Sequence, residues 1–415
     1  MTIELTAEAV TDAKAFAQPE RLYELFSRLR RESPVTRVET EAFPSFWLIT
    51  RHEDIKAIEL APETFLSGPR AILLTKAQEQ TNIQYFGDRN GLKTLVHMDG
   101  EEHKKHRKIT QSFFSRGNIE KLRQGMVAQA DAYIDKMAAM GGKCDFATEI
   151  AFRYPLRVLM SILGVPPEDD DHMLKLTQGL LAYYDPELAY SHDMGEMALV
   201  KVVGDFAEYA NALIAKRRAE PTDDLASVLA SATIDGEPID AFNQLSYFII
   251  VATAGHDTTS ATIAEGVNAL IENPGLLERL KAEPELCVNA SEEFARLATP
   301  GKHFLRTAAK DVEIAGVKIA KGDTLLLSLA SASRDDAVFE NPHRVTLDRW
   351  PNPHLSFGAG PHACLGKNLA RLETEIFFNR LLPRVQSIER AGPIEYVESF
   401  FVSGIKRLPI AYKMT

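Results

Sequence analysis

The sequence has few cysteines, and they are not arranged in pairs. Among 415 residues there are three, Cys144, Cys287 and Cys364, and no two of them have C-x-x-C spacing. A sparse, odd set argues against a disulfide framework and suits a reducing compartment. It also argues against a structural zinc site, which needs two Cys/His pairs at close spacing.

Long hydrophobic runs are missing as well. No segment approaches the ~18 uninterrupted apolar residues of a membrane span. The stretch MTIELTAEAVTDAKAF lacks a cationic region followed by an apolar run. We therefore expect no signal peptide and no membrane anchor, and a cytoplasmic protein. Repeats and Pro/Gly/Ser linkers are absent, and the ordinary composition of 45% hydrophobic and 25% charged residues predicts one globular domain over residues 1–415.

Basic residues are fewer than acidic residues in this chain. The chain has 47 Lys and Arg against 58 Asp and Glu, which gives a formal net charge of −11. This balance argues against a general nucleic-acid binder or a protein of anionic membrane surfaces. No G-x-G-x-x-G follows a predicted strand, so we expect no flavin or nicotinamide site. Electrons for any redox chemistry must come from a separate protein.

The most informative stretch that is present is FGAGPHACLG, from Phe357 to Gly366. Its three glycines and one proline predict a tight, rigid loop and exclude a regular helix or strand. The apolar spacing in KNLARLETEIFFNRLL, which follows, predicts a helix. Cys364 therefore lies at or just before a helix N-terminus, where amide groups and the helix dipole favour an anionic sulfur and hence a metal ligand.

A second polar feature interrupts the predicted longest helix, residues 240–273, which begins at an Asp240 cap. Glycine followed by Asp-Thr-Thr in AGHDTTS is locally unfavourable in a helix, and such exceptions often mark functional sites. Elsewhere, apolar spacing predicts a helix from residue 19 to 33, a hairpin over 34–50 and a short helix over 52–60. Residues 66–96 show no clean period and are interpreted as a surface loop.

These motifs resemble those of the cytochrome P-450 family. FGAGPHACLG matches F-G-x-G-x-H-x-C-x-G at every fixed position, and AGHDTT resembles the family's A/G-G-x-D/E-T-T. An H-x-x-x-R and an E-x-x-R stand in the family's order. The resemblance implies the cytochrome P-450 fold, mainly α with small β-sheets (α+β), in which a long central helix lies over haem b held by the Cys loop. It implies a monooxygenase that uses dioxygen.

The resemblance also assigns residues. Cys364 would be the thiolate ligand of the haem iron, Asp257 would relay protons, and Thr258 would hydrogen-bond iron-bound dioxygen, for which Gly255 leaves room. The residues expected to bind the haem are Cys364, His103, Arg107, Arg306, His362, Phe357 and Gly358. A buried ionic cluster is expected from Glu293, Arg296 and Arg349.

Substrate and partner follow from a finer resemblance. LGVPPEDDDHMLKLTQ, ATAGHDTTS and IFFNRLLP are similar to the bacterial subgroup that hydroxylates α-terpineol and related monoterpenes or alkyl-aromatics. The expected pocket residues are Leu74, Phe86, Leu181, Tyr184, Ala254, Phe401 and Val402. The expected partners are a small apolar substrate, a ferredoxin and a ferredoxin reductase. Either a docking patch for the ferredoxin or a plain solvated face is formed by Lys104, Lys105, Lys108, Lys367 and Arg371.

Two alternatives stay open at this point. The first is a peroxide-driven haem-thiolate enzyme, against which the Asp257–Thr258 pair argues. The second is a non-catalytic haem or zinc protein that uses His354, His362 and Cys364.

Overall fold

The computed structural model describes residues 5–191 and 193–415, and within them the chain is mainly helical. The helices are α1 (Ala13–Phe16), α2 (Pro19–Glu32), α3 (His52–Glu59), α4 (Lys76–Phe86), α5 (Gly100–Gln111), α6 (Arg116–Lys121), α7 (Arg123–Ala139), α8 (Arg153–Leu163), α9 (Asp170–Leu181), α10 (Met197–Ala219), α11 (Leu225–Ala230), α12 (Ala241–Ala254), α13 (Asp257–Glu272), α14 (Leu276–Ala282), α15 (Cys287–Ala298), α16 (Leu329–Ala332) and α17 (Lys367–Leu381). The strands are β1 (Val35–Val38), β2 (Phe46–Ile49), β3 (Phe65–Leu66), β4 (Lys143–Asp145), β5 (Thr233–Ile234), β6 (Glu237–Pro238), β7 (His303–Ala308), β8 (Val312–Ile314), β9 (Val317–Ile319), β10 (Thr324–Ser328), β11 (Val385–Arg390), β12 (Glu395–Tyr396), β13 (Ile405–Arg407) and β14 (Pro409–Met414).

The strands form small sheets. The largest has the order β1-β2-β10-β7-β3, in which only the β2–β10 pair is parallel. A three-stranded sheet has the order β11-β14-β4, and three further pairs are two-stranded. The predicted hairpin of β1 and β2 and the helices α2 and α3 on either side of it are confirmed. These elements form because apolar side chains recur at the period of each element, so that one face can be buried.

The prediction of a plain loop over residues 66–96 is wrong, because α4 lies within it. The helix begins at Thr75, whose hydroxyl accepts from the Gln78 amide while the Gln78 side chain accepts from the Thr75 amide. It ends at Gly87, which has a φ of 77°. This capping box and terminal glycine are readable signals of a helix. The apolar period was uninformative because few side chains of α4 are buried.

The predicted single helix over residues 240–273 is also wrong in its continuity. The Asp240 cap is present, but α12 ends at Ala254 and α13 begins at Asp257. Four hydroxyl side chains on α13 donate to the carbonyl four residues earlier, and these are Thr258, Thr259, Ser260 and Thr262. Such bonds compete with the backbone ladder and bend helices. The longest described helix is instead α10, with 23 residues.

The core is built around α13, which packs on α8, α15 and α17. The rings of Phe294 on α15 and Phe378 on α17 are 4.8 Å apart, and both residues are fully buried. The helix α8 buries nine of its residues. Because α17 follows directly after the Cys364 loop, this packing fixes the loop against the central helix.

The structure brings Glu293, Arg296 and Arg349 together. Arg296 donates to both Glu293 oxygens at 2.7 and 2.8 Å, and Arg349 donates to Oε1 at 3.0 Å. Asn352 and the Thr346 amide complete the set of donors to this carboxylate. Glu293 and Arg296 have no exposed side-chain surface. The buried Glu293 carboxylate is therefore both paired and hydrogen-bonded in the interior.

We expect Glu293→Gln to lower the free energy of unfolding by about 3–5 kcal/mol, because it leaves Arg296 buried without its counter-ion. Urea unfolding followed by circular dichroism measures this. The matched control is Glu149→Gln, which breaks the half-exposed Lys136–Glu149 pair and is expected to cost about 0–1 kcal/mol. Equal losses in the two variants would contradict the buried-cluster account.

Candidate functional site: a cysteine loop beneath a cation-lined cavity

The loop from Phe357 to Gly366 is held by its glycines. Gly358 and Gly360 have φ values of 63° and 65°. A Cβ added to Gly360 would lie 2.4 Å from the Glu59 carbonyl oxygen, so no larger residue fits there. The Cys364 amide donates to the Phe357 carbonyl at 2.8 Å and closes the loop. Cys364 consequently stands three residues before α17, where the loop pattern predicted it.

A charged cluster supports the loop from the side of α15. Glu292 accepts from both Arg371 on α17 and His354. The Arg371 guanidinium lies 4.8 Å from the centroid of the Phe357 ring, and the His354 ring lies 5.6 Å from it. Although burial raises the pKa of Glu292, hydrogen bonds and charge from His354 and Arg371 outweigh it and lower that pKa to about 2. The carboxylate thus stays ionised and orders the first residue of the loop.

Cys364 opens into the largest cavity described here, which has an empty volume of about 1720 Å³ including its mouth. Side chains from α5, α8, α9, α12, α13 and β7 line it together with the Cys364 loop. All seven residues predicted to bind the cofactor are among them, and they are Cys364, His103, Arg107, Arg306, His362, Phe357 and Gly358. Sequence positions more than 250 residues apart therefore meet in one space.

The cations at the cavity are poorly compensated by acids. The His103 and His362 rings are 4.2 Å apart, and Arg107 donates to the Ala363 carbonyl at 2.8 Å. The Nε2 atom of His103 is buried without a hydrogen-bond partner. Burial, together with Arg306, His103 and Arg107, lowers the pKa of His362 to about 3. The histidines are therefore neutral donors beside two permanently charged arginines.

Sequence analysis did not identify Glu59, an acid beside Arg306. Its carboxylate lies 3.9 Å from Arg306, beyond normal hydrogen-bond distance. Burial raises the pKa of Glu59 to about 7, although Arg306 and the Ala359 amide act against it. The acid is therefore only partly ionised near neutral pH, and positive charge remains in excess. No sequence motif marks Glu59, which reaches the site only because α3 packs under the Cys364 loop.

The environment of the Cys364 sulfur does not by itself favour the thiolate that the loop pattern predicted. Burial raises the pKa of the Cys364 thiol, while the Gly366 amide, Arg107, Lys367 and Arg371 act in the opposite direction. The helix end and neighbouring cations alone therefore do not produce a thiolate. A bound metal cation deprotonates a coordinating thiol, so the anionic sulfur depends on the metal that it binds.

The polar interruption between α12 and α13 lies at this cavity. Thr258 lines it, and its hydroxyl donates to the Ala254 carbonyl at 2.7 Å. Asp257 instead lines a smaller side cavity, so the structure separates the two side chains that were predicted to act together. A Cβ on Gly255 would lie 3.0 Å from Leu159 Cδ2. This glycine permits the close approach of α8, which is a different reason from room for a ligand.

Four of the seven predicted pocket residues line the cavity, namely Leu181, Ala254, Phe401 and Val402. The other three, Leu74, Phe86 and Tyr184, are not among its lining residues. Tyr184 packs against Phe400 at 4.8 Å and donates to Gln78 at 3.1 Å, and Phe86 packs against the main core. Residues that sequence analysis missed include Leu95, Val96, Leu159, Val251 and Phe304.

The zinc alternative lacks a site. His354 is bound to Glu292 at 3.1 Å, and within residues 5–191 and 193–415 no group of three or more His, Cys, Asp or Glu is arranged to hold a metal ion. In the same described part of the chain, no helix has both the length and the apolar character needed to cross a membrane.

A flat dianionic cofactor that takes one sulfur ligand fits this cavity, because the buried Arg306 and the half-buried Arg107 lack full counter-ions and one thiol faces the same space. The class that the fold and site define is the haem-thiolate proteins. A family model described as Cytochrome P450 matches residues 70–391. The chain belongs to the cytochrome P450 family and is a P450 monooxygenase, which binds haem iron through a cysteine thiolate.

Individual relatives agree with this. Cytochrome P450-terp of a Pseudomonas species is 36% identical, over 98% of this chain and 97% of that protein. Linalool 8-monooxygenase of Pseudomonas putida is 30% identical, over 94% and 95%. The crystal structure of CYP108D1 from Novosphingobium aromaticivorans has a TM-score of 0.91 and 39% identity, with 98% of each chain covered.

We expect Cys364→Ala to abolish the thiolate-type absorption of the reduced, carbon-monoxide-bound protein, because this sulfur is the one that faces the cavity. Monooxygenation should be lost with it. The matched controls are Cys144→Ser and Cys287→Ala, which alter cysteines outside the cavity and should leave the spectrum unchanged. A thiolate-type spectrum that persists in Cys364→Ala would falsify the assignment.

Proposed function

We propose that this P450 hydroxylates a small-to-medium, mostly apolar substrate of the monoterpene or alkyl-aromatic type. Its electrons come from NAD(P)H through a ferredoxin reductase and a ferredoxin. The observation that carries the proposal is that Cys364 and Thr258 share one cavity with Leu181, Val251 and Phe401. When bound, the haem supplies the oxygen activation and the insertion into a C–H bond.

The residues of this chain have separate tasks in that reaction. Cys364 supplies the thiolate, and the two arginines and two histidines of the cavity would hold the haem carboxylates, for which planar Arg donors are well suited. Thr258 offers an alcohol at the substrate cavity, and Asp257 offers a carboxyl at the adjoining side cavity; both groups are suited to proton delivery. The apolar side chains exclude water and orient the substrate.

The polar groups of the substrate cavity favour an apolar substrate. The hydroxyls of Thr253, Thr258 and Thr262 each donate to the backbone carbonyl four residues earlier. They can still accept a hydrogen bond, but their hydrogens are engaged. A substrate carboxylate or ketone would therefore be desolvated here without a donor, whereas a hydrocarbon or an alcohol avoids that cost.

A matched substrate panel tests the proposed class. Four compounds of one carbon skeleton, a hydrocarbon, an alcohol, a ketone and a carboxylic acid, are titrated against the haem-loaded protein, and displacement of iron-bound water is read from the spectrum. The hydrocarbon and the alcohol should bind at least about tenfold more tightly than the acid. Preferential binding of the acid, or of a steroid over the small skeletons, would overturn the proposed substrate class.

We expect Thr258→Ala to consume reductant while product formation falls by on the order of tenfold or more, with peroxide released in its place. Asp257→Asn should slow turnover itself, because the carboxyl can no longer give or take a proton. Oxygen uptake, peroxide and product are measured together. Ser260→Ala is a matched control, since its hydroxyl is buried away from the cavity and also bonds its own helix. Wild-type rate and yield in both test variants would remove the proton-delivery role.

The ferredoxin interaction is supported by charge near the Cys364 loop. Arg107 on α5 contacts the loop, and α5 also carries Lys104, Lys105 and Lys108. The structure reduces the expected patch, because Lys104 pairs with Glu101, Lys105 with Asp235 and Arg371 with Glu292. Surface pairs of this kind partly cancel each other's field. Lys108 and Lys367 are therefore the better test positions.

We expect the double variant Lys108→Glu, Lys367→Glu to slow reduction by an acidic ferredoxin by about threefold to tenfold at low salt, because opposite charges steer association. The difference should fade above ~0.15 M salt, where the screening length is ~8 Å. The double reversal Lys318→Glu, Lys321→Glu, on β9 and just after it, is the control for net charge alone. If the reduction rate depends on neither salt nor the double reversal, this face does not dock the electron donor.

A further inference from the structure

His256 separates α12 from α13, and the proposed function gives it no role. Its ring is fully buried and contacts three separate segments. The Nε2 atom lies 2.8 Å from the Phe152 carbonyl oxygen, which can only accept a hydrogen bond. Nε2 must therefore carry a proton, and the tautomer of the neutral ring is fixed.

The other ring nitrogen faces Asp257. Nδ1 lies 3.2 Å from Asp257 Oδ1 and 3.3 Å from Thr177 Oγ1 on α9. The single hydroxyl hydrogen of Thr177 has another acceptor, the Leu174 carbonyl at 3.0 Å. With Nε2 already protonated, a hydrogen bond between Nδ1 and Oδ1 requires one further proton, held either by the ring or by the carboxyl.

Asp257 is held in the side cavity by this contact. That cavity has an empty volume of about 370 Å³ and is lined by Asp257, Gln178, Ser403 and other residues. Leu181 and Val402 line both this space and the substrate cavity, so the two spaces adjoin. Asp257 Oδ2 is buried and has no hydrogen-bond partner. An unpartnered carboxyl oxygen of this kind leaves one position open for a proton or a water molecule.

Other charged groups on the surrounding segments are engaged with each other. Arg153, next to Phe152, pairs with Asp171, and Lys175 on α9 lies over the Tyr190 ring. On the far side of the side cavity, Lys406 on β13 pairs with Asp185 and Glu187. Burial raises the pKa of Asp257, and the charge of His256 acts against this. His256 is therefore the ionisable group that faces this carboxyl.

We propose that His256 is a positioning residue for proton delivery: it holds Asp257 towards the side cavity, and the pair shares one proton. This inference deepens the proposed function and rests on it. When the pair gives its proton to the substrate cavity, where Thr258 lies, the net charge of the pair falls by one. A proton that enters through the side cavity then returns the pair to its original charge. The substrate cavity then need not be open to water while substrate is bound. Thr177 ties the pair to α9, whose last residue, Leu181, lines both cavities.

The protonation of the pair is tested without turnover. Histidine labelled with ¹⁵N is observed by NMR in the reduced, carbon-monoxide-bound holoprotein, and His256 is assigned by its loss in His256→Leu. We expect Nε2 to be protonated throughout the range from about pH 6 to about pH 8. In Asp257→Asn, the side-chain NH₂ can donate to Nδ1, so Nδ1 should carry no proton of its own in this variant. A proton on Nδ1 with none on Nε2, or a state unaffected by Asp257→Asn, would overturn the proposal.

Turnover gives the second readout. In His256→Leu the buried carboxyl loses the positive charge that lowers its pKa, so it releases a proton only at higher pH. Product formation should fall by on the order of tenfold at about pH 6.5 and recover as the pH rises, whereas wild type varies less. His256→Asn keeps a donor at the position of Nδ1 and should be affected less.

Ser291→Ala removes a buried hydroxyl of α15 outside both cavities and serves as the packing control, with the wild-type pH profile expected. If His256→Leu folds and binds haem but its pH profile has the wild-type shape, the inference fails while the proposed function stands. If wild type itself forms no oxygenated product, the proposed function fails, and the NMR result still decides whether the pair shares a proton.

Discussion

Buried positive charge without full compensation is the constraint on which the site depends. Arg107 and Arg306 approach one cavity from α5 and β7, and Glu59, the acid closest to Arg306, is itself only partly ionised near neutral pH. A buried cation without a full counter-ion, such as Arg306, is costly, so a negatively charged molecule that enters the cavity stabilises this arrangement. Haem carboxylates meet that need. We therefore expect cofactor binding and the stability of these segments to be linked.

The second constraint is the interrupted central helix. The hydroxyls that weaken its backbone ladder also place Thr258 at the substrate cavity and turn Asp257 into the side cavity. A continuous helix would keep every carbonyl engaged with an amide and would leave no separate positions for an alcohol and an acid. Local instability is offset by the packing of α13 on α8, α15 and α17. The chemistry of the site and the departure from ideal helix geometry thus have one cause.

Much of the fold and of the cysteine loop could be predicted from the sequence, because these features depend on short local motifs. The Cys364 loop, the Asp240 cap and the hairpin of β1 and β2 depend on neighbouring residues, and the structure has them where they were predicted. Glu59 could not be predicted, because α3 meets the Cys364 loop only after folding, 300 residues along the chain. The predicted pocket residues Leu74, Phe86 and Tyr184 do not line the cavity, for the same reason. An apolar side chain has several possible packing partners, and the folded structure decides among them.

Asp99 determines how the segment before α5 can vary. Its carboxylate accepts from the Ser67 and Gly68 amides at 2.9 and 2.8 Å, and it lies 3.9 Å from His362. The two ends of the segment 69–98 are therefore held together by Asp99, beside the haem-binding cations. Since longer loops add little to the cost of closure, residues can be inserted or exchanged between these ends without moving that point. The chain thus contains an exchangeable module, ending in Leu95 and Val96 at the cavity, through which substrate preference can diverge while the cofactor site is inherited unchanged.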